Sequence, residues 1–215
     1  MVQIYSVICQ NPNAIMGDFN ILIGAKPEKG YFFSSSGGSV VKSGQKLNGG
    51  GEIALPGGKI ESGESPLDAA NREFLEEAGY DISGVTPQVL KFNDGSTDFY
   101  AAYYFVDTNY FSQILYSVSA NLGVSMAASY AVKAGIIKNY ADISTLYPGA
   151  CADNELYNFW LLNTIRNQTI IAEMSKSKST SWYSIIISEL YKYSSEEELK
   201  LLCDDDADGA DLSKS

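Results

Sequence analysis

Histidine is absent from this 215-residue chain. That absence removes His-ligated zinc, Ser-His-Asp triads and Cys-His nucleophile pairs together. Carboxylates, hydroxyls, Lys, Arg, Tyr and thiols are left to carry any chemistry. Positive charge is also scarce: 15 Lys and Arg stand against 26 Asp and Glu, for a formal charge of −11. Such a surface repels a phosphate backbone, so a protein that wraps DNA or RNA is disfavoured. A small phosphorylated ligand stays open, because a metal ion can bridge it to carboxylates. Cysteine is sparse, with Cys9, Cys151 and Cys203 spread along the chain and no C-x-x-C, which reads as unpaired thiols in a reducing compartment. No run is long enough to span a bilayer. The apolar stretch 2–9 has no basic segment ahead of it and reads as a strand rather than a signal peptide. The expectation is a cytoplasmic protein with no membrane partner.

What the chain does have is a 45% apolar composition, enough for a sizeable core. Segments 2–9 and 20–25 are rich in β-branched residues and bounded by turn formers, so both read as strands. From 26 to 51 the sequence turns Gly- and Ser-rich, reading as a mobile loop or as two hairpin strands joined by glycine turns. Ser65 is a good N-cap, Pro66 suits the first helical position, Asp68 completes a capping-box-like spacing and Gly79 ends the run, which predicts a helix over 66–78. Strands are expected at 86–93 and 98–106 around an Asn93-Asp94-Gly95 turn. Helices are expected at 109–122, 125–135, 153–167, 181–193 and 195–202. Strands early and helices late point to an α/β (α+β) fold with a mixed sheet and a helical C-terminal extension. The division expected is a main domain over 1–170, an extension over 171–202 packed on it, and a disordered acidic tail over 203–215, where five Asp fall within thirteen residues.

The chemistry concentrates between Gly57 and Tyr80. Glu73, Glu76 and Glu77 are spaced i, i+3 and i+4, on one face of the predicted helix, where three unneutralised carboxylates repel one another. Arg72 is the only cation near them in sequence. Hard divalent cations relieve such a cluster, and all-oxygen donors favour Mg²⁺ or Mn²⁺ over zinc. Gly57 and Gly58, lacking Cβ atoms, let the backbone approach a metal or phosphate closely.

Gly58, Glu64, Arg72, Glu73, Glu76, Glu77 and Gly79 fill every fixed position of G-x5-E-x7-R-E-U-x-E-E-x-G-U, where U is bulky and apolar; Phe74 and Tyr80 occupy the U positions. In this box the chain resembles the Nudix hydrolases. The resemblance implies an α/β/α sandwich and metal-dependent hydrolysis of a phosphoanhydride in a nucleoside diphosphate linked to another moiety. It further implies Glu73, Glu76 and Glu77 as metal ligands, with Glu73 alternatively a water-activating base, and the Gly57 carbonyl as an additional ligand. Arg72 would orient the carboxylates, Glu64 would support the loop or an outer metal, and Gly58 and Lys59 would meet the substrate. Mg²⁺ or Mn²⁺ would be the cofactor.

Members of this family often recruit a carboxylate from outside the box. Asp98, Asp107, Asp153 and Glu155 are candidates here, with helix N-capping the plainer reading of Asp153. The accessory patterns that mark NADH, coenzyme A, ADP-ribose and dinucleoside polyphosphate classes are not matched: Pro87 lies too close after the box and Tyr100 slightly too far. The region after 107 is expected to cap the pocket or to mediate a homodimer. An alternative from another class is a catalytically silent nucleotide-sensing module with the same fold. The glutamates at 196–198 and the acidic tail resemble C-terminal signals of bacterial type IV secretion substrates, against which stands a fraying helix with a solubilising tail.

Overall fold

The computed structural model describes residues 2–13, 15–32, 44–138, 140–178 and 180–193. The centre of the molecule is β1 (Gln3–Gln10), a run of Ile, Tyr, Val and Cys buried from residue 4 onward. It pairs in parallel with β8 (Asp98–Phe105) from Gln3↔Phe99 to Cys9↔Phe105, and β8 continues antiparallel to β7 (Gln88–Asn93). On its other side β1 has two partners. β2 (Asn20–Ala25) meets its far end at Cys9↔Ile21, and β6 (Gly57–Lys59) meets its near end at Tyr5↔Gly57. The sheet therefore forks along β1. On its far edge β2 pairs with the edge strand β10 (Asn158–Asn163), and on the edge that faces β1 its end pairs with β5 (Ile53–Ala54), inside the fork. A small second sheet has β3 (Lys29–Phe32) between β4 (Gln45–Lys46) and β9 (Asp153–Asn154).

Helices cover both faces, as strand alternation shows. On β1 the Ser6 hydroxyl donates to the Ala70 carbonyl of α1 (Pro66–Ala78) at 3.1 Å, while Tyr5 packs edge-on against Tyr183 of α5 (Ser181–Glu189). On β8 the Tyr104 hydroxyl reaches Asn71 of α1 at 2.7 Å and the Tyr103 hydroxyl reaches the Ile186 carbonyl of α5 at 2.8 Å. Successive strand residues point to opposite faces, so α1 and α5 sandwich the mixed sheet. α2 (Thr108–Lys133) lies on the α1 side, where the Asn121 amide donates to the Gly79 carbonyl at 2.8 Å. α3 (Tyr140–Leu146) and α4 (Gln168–Met174) complete the described helices. This is the expected α/β/α arrangement. Phe74, Tyr103, Tyr104 and the aliphatic residues of β1 and β2 are shut from solvent, and a fully buried Phe contributes roughly 1.5–3 kcal/mol.

The first helix follows its punctuation: Ser65 accepts from the Asp68 amide at 3.1 Å, and Gly79 adopts the left-handed conformation at φ 66°. The 26–51 segment contains the paired strands β3 and β4, with 33–43 outside the described residues. Two expectations fail. The helices expected at 109–122 and 125–135 are one helix, because solvent-exposed Gly123 costs only about 1 kcal/mol and does not break it. The helix expected over 153–167 is instead β9 and β10. Its apolar run Phe159–Leu162 fits either state by pattern, and pairing with β2 along all six residues decides for strand. The expected boundary at 170 falls inside α4. Residues 195–202 and the tail from 203, Cys203 included, lie outside the described residues; Cys9 and Cys151 are buried and unpaired. No helix among the described residues is long and apolar enough to cross a membrane.

Candidate active site

The fork in the sheet opens a cavity of about 370 Å³. Its floor is β6, its near wall α1, and its far wall the segment 153–155 with Lys26 at the end of β2. α5 closes it with Trp182 and Tyr183. Six carboxylates line it: Glu52, Glu73, Glu76, Glu77, Asp153 and Glu155.

Gly57 sets the position of the helix. At φ 154° a Cβ would lie 2.2 Å from the Ile4 carbonyl oxygen, so only glycine lets β6 dock on β1 there. Its amide then donates to Glu77 Oε2 at 2.9 Å. At Gly58 a Cβ would stand 2.6 Å from the Glu73 carboxylate. The glycine pair thus leaves room for the carboxylates as well as for a ligand.

Arg72 ties the acidic face together. It donates to Glu64 at 2.8 and 3.0 Å, to Glu73 at 2.9 Å, to Glu76 at 3.0 Å and to the Lys59 carbonyl at 3.0 Å. Neither Arg72 nor Glu64 lines the cavity. Glu64 also accepts from the Glu61 amide at 2.9 Å, so the pair braces the loop between β6 and α1. Hydrogen bonding to Arg72 holds the Glu64 carboxyl below its ordinary value.

Three carboxyls inside the cavity move the opposite way. Burial raises Glu77 well above the usual carboxylate range, against the pull of Lys26, with Glu155 and Asp153 adding to the rise. Burial also raises Glu73, although Arg72 opposes it. Asp153 is pushed up to about 8 by burial and by Glu155, Glu73 and Glu76. Lys26 is the counter-charge: burial pushes its ammonium down, but Glu77 and Glu155 more than offset that, and it bonds Glu155 at 2.8 Å.

Of the residues singled out by sequence, Gly57, Gly58, Lys59, Glu73, Glu76, Glu77, Asp153 and Glu155 meet in this cavity. Asp98 and Asp107 do not. Asp98 is bound by Lys91 and Asn93 at the β7–β8 turn, and Asp107 caps α2 through the Asn109 and Tyr110 amides. Asp153 is no helix cap, since it sits in β9. Sequence reasoning missed Gln3, Tyr5, Lys26, Glu52, Trp182 and Tyr183. Only the alternation of β1 hinted at Gln3 and Tyr5; the others reach the site through pairing and packing distant in sequence.

The family model for the NUDIX domain matches residues 36–119. Over that segment the chain is a NUDIX domain. The Nudix segment holds β6, the box and α1, whereas the walls made by Lys26, Asp153, Glu155 and Trp182 lie outside it. Among solved structures, a MutT protein from Methanosarcina mazei Go1 is similar at 12% identity and TM-score 0.39, over 88% of this chain and 91% of that one. An Ap4A hydrolase binary complex from C. elegans is similar at 16% identity and TM-score 0.30, over 49% and 66%. The NUDIX domain of Shewanella oneidensis NrtR complexed with ADP ribose is similar at 12% identity and TM-score 0.30, over 50% and 60%. No curated protein matches the chain.

Proposed function

We propose that the chain is a divalent-cation-dependent pyrophosphohydrolase acting on a nucleoside diphosphate linked to another moiety. The observation that carries this reading is the cavity itself, where Glu73, Glu76 and Glu77 of the Nudix box face Asp153 and Glu155 across about 370 Å³.

The donor chemistry fits a hard cation. All six lining acids offer oxygen, and Asp153 Oδ1 and Glu52 Oε2 are buried without a hydrogen-bond partner. As placed, no three acidic side chains among the described residues stand close enough together to hold one ion. Glu73 and Glu76 are held by Arg72 instead, and binding requires them to turn inward. Glu73, Glu76, Glu77 and the Gly57 carbonyl are the proposed ligands, with Asp153 and Glu155 on the opposite wall. Mg²⁺ or Mn²⁺ there would neutralise a diphosphate and lower the pKa of an attacking water.

The protein's own share is positioning. Gly58 and Lys59 lie where a phosphate would rest against β6. Glu73, whose carboxyl burial raises above its ordinary value, is the carboxylate proposed to take the proton of the attacking water. Trp182, stacked against Tyr5 with ring centroids 6.4 Å apart, offers a face for a nucleobase.

The test is a panel of nucleoside triphosphates, nucleotide sugars, ADP-ribose, dinucleoside polyphosphates, NADH and coenzyme A, with Mg²⁺ or Mn²⁺. Native protein should turn over at least one class only with the cation, and Glu76→Gln and Glu77→Gln should each lose about 10²-fold or more. Nucleotide binding without turnover by any metal-loaded protein would overturn hydrolysis in favour of a sensing module.

A further inference from the structure

A second and larger cavity, of about 680 Å³, lies between α2 and the β3–β9 sheet. It shares Lys26 with the acid cavity and is otherwise lined by different residues. Asp153 and Glu155 line the acid cavity while Asn154, between them, lines this one; strand alternation sends neighbours to opposite faces. The two cavities are therefore back to back across β9.

Their chemistry is opposite as well. Lys29 and Lys133 line the groove, and neither forms an ion pair among the described residues. Among the described residues Glu28 is the single carboxylate on its walls. Asn154 is 3% exposed, and its side-chain amide nitrogen is buried with no partner. A buried donor left unmatched costs about 1–3 kcal/mol, which an arriving acceptor recovers. Tyr31, Tyr130 and Tyr157 also line the groove, and Tyr130 is 63% and Tyr157 43% exposed, which leaves ring surface open to a ligand. In a chain of charge −11, two unpaired ammonium groups, an orphan amide donor and planar rings meet in one concavity. Donors without acceptors select an anion, and tyrosine faces select a flat ring. The volume falls in the range of small-ligand sites, about 300–1,000 Å³.

We propose that this groove is a second ligand site, for a small planar anion of the nucleoside monophosphate class. Lys29 and Lys133 hold the phosphate, a tyrosine ring stacks on the base, and Asn154 donates to the ligand from the floor after a small side-chain adjustment. The site does not depend on hydrolysis in the acid cavity.

Adenosine monophosphate titrated calorimetrically into the intact chain with a chelator present provides the test. Without a cation the acid-lined cavity disfavours phosphate, so binding reports the groove. The expected Kd lies at about 0.1–1 mM. Lys29→Glu with Lys133→Glu should weaken it at least tenfold, and Asn154→Asp should weaken it severalfold. Lys59→Glu, in the acid cavity, should leave it unchanged. Both lysines are exposed, so the double variant should keep the native circular dichroism and melting temperature. Adenosine and ribose 5-phosphate should each bind at least tenfold more weakly than the intact nucleotide. No binding up to about 5 mM, binding indifferent to the lysine pair, or binding lost with Lys59→Glu would each overturn the proposal.

Discussion

Replacing Asp153 by Asn should make the cation-free protein more stable at neutral pH and the cation-loaded protein less active. Burial and the carboxylates of Glu155, Glu73 and Glu76 raise the Asp153 carboxyl from 3.8 to about 8. The folded state then keeps a proton that the unfolded chain releases. The contribution is full below the unfolded pKa and is lost as pH rises through the folded one. At about 1.4 kcal/mol per pH unit, the loss at neutral pH has a ceiling of about 4 kcal/mol. The neighbouring carboxyls titrate together with Asp153, and Asp153 Oδ1 has no partner, so an amide there keeps an unmatched polar group worth about 1–3 kcal/mol. The expected net gain is about 1–2 kcal/mol, or about 2–8 °C in melting temperature for a chain of this size. Thermal melts in chelator should place the variant at or below the native chain near the unfolded pKa and above it at neutral pH, the difference growing steadily toward the folded value. Saturating Mn²⁺ should then favour the native chain, since a cation at a hundredfold excess over its Kd adds about 2.7 kcal/mol to the form that binds it. A melting difference that does not change with pH in chelator would refute the reasoning.

The glycine pair should separate two functions. Gly57→Ala forces a Cβ into backbone and should cost about 3 kcal/mol or more, read as loss of cooperative unfolding or a melting point lowered by several degrees. Gly58→Ala brings its Cβ first against the Glu73 carboxylate, a side-chain end that can shift, and should melt near the native temperature while losing about 10-fold or more in turnover. Arg72→Lys keeps the charge but cannot serve Glu64, Glu73, Glu76 and the Lys59 carbonyl at once, so the loop between β6 and α1 should loosen and cation-dependent turnover should drop about 10–100-fold. Trp182→Ala should raise KM for nucleotide substrates by about 5- to 100-fold, from the loss of one base-stacking contact of about 1–3 kcal/mol, with kcat changed less; Trp182→Phe should restore most of it.

The box was legible because its information is local. Capping at Ser65, the glycines and the i, i+3, i+4 carboxylates are set within one helix and its lead-in. The strands at 3–10 and 20–25 were legible for the same reason, being short β-branched runs with turn residues on both sides. The segment 153–163 was not. Phe159–Leu162 carries no period that separates helix from strand, and its state is fixed by β2, more than 130 residues earlier. With that strand misread, Asp153 looked like a helix cap. Lys26 and Trp182 carry no local mark at all; they matter because β2 ends, and α5 begins, at the mouth of the cavity.

The alternation along 153–155 has a consequence for how this chain tolerates changes in length. Its register against β3 is fixed by two residue pairs, Tyr31↔Asn154 and Phe32↔Asp153. Deleting or inserting one residue in the turn before Cys151 would offer a one-step slip, and a slip of one turns every side chain over. An amide would then enter the acid cavity and two carboxylates would enter the lysine groove. Substitutions can tune either side separately, but a single gap in this stretch disables both together.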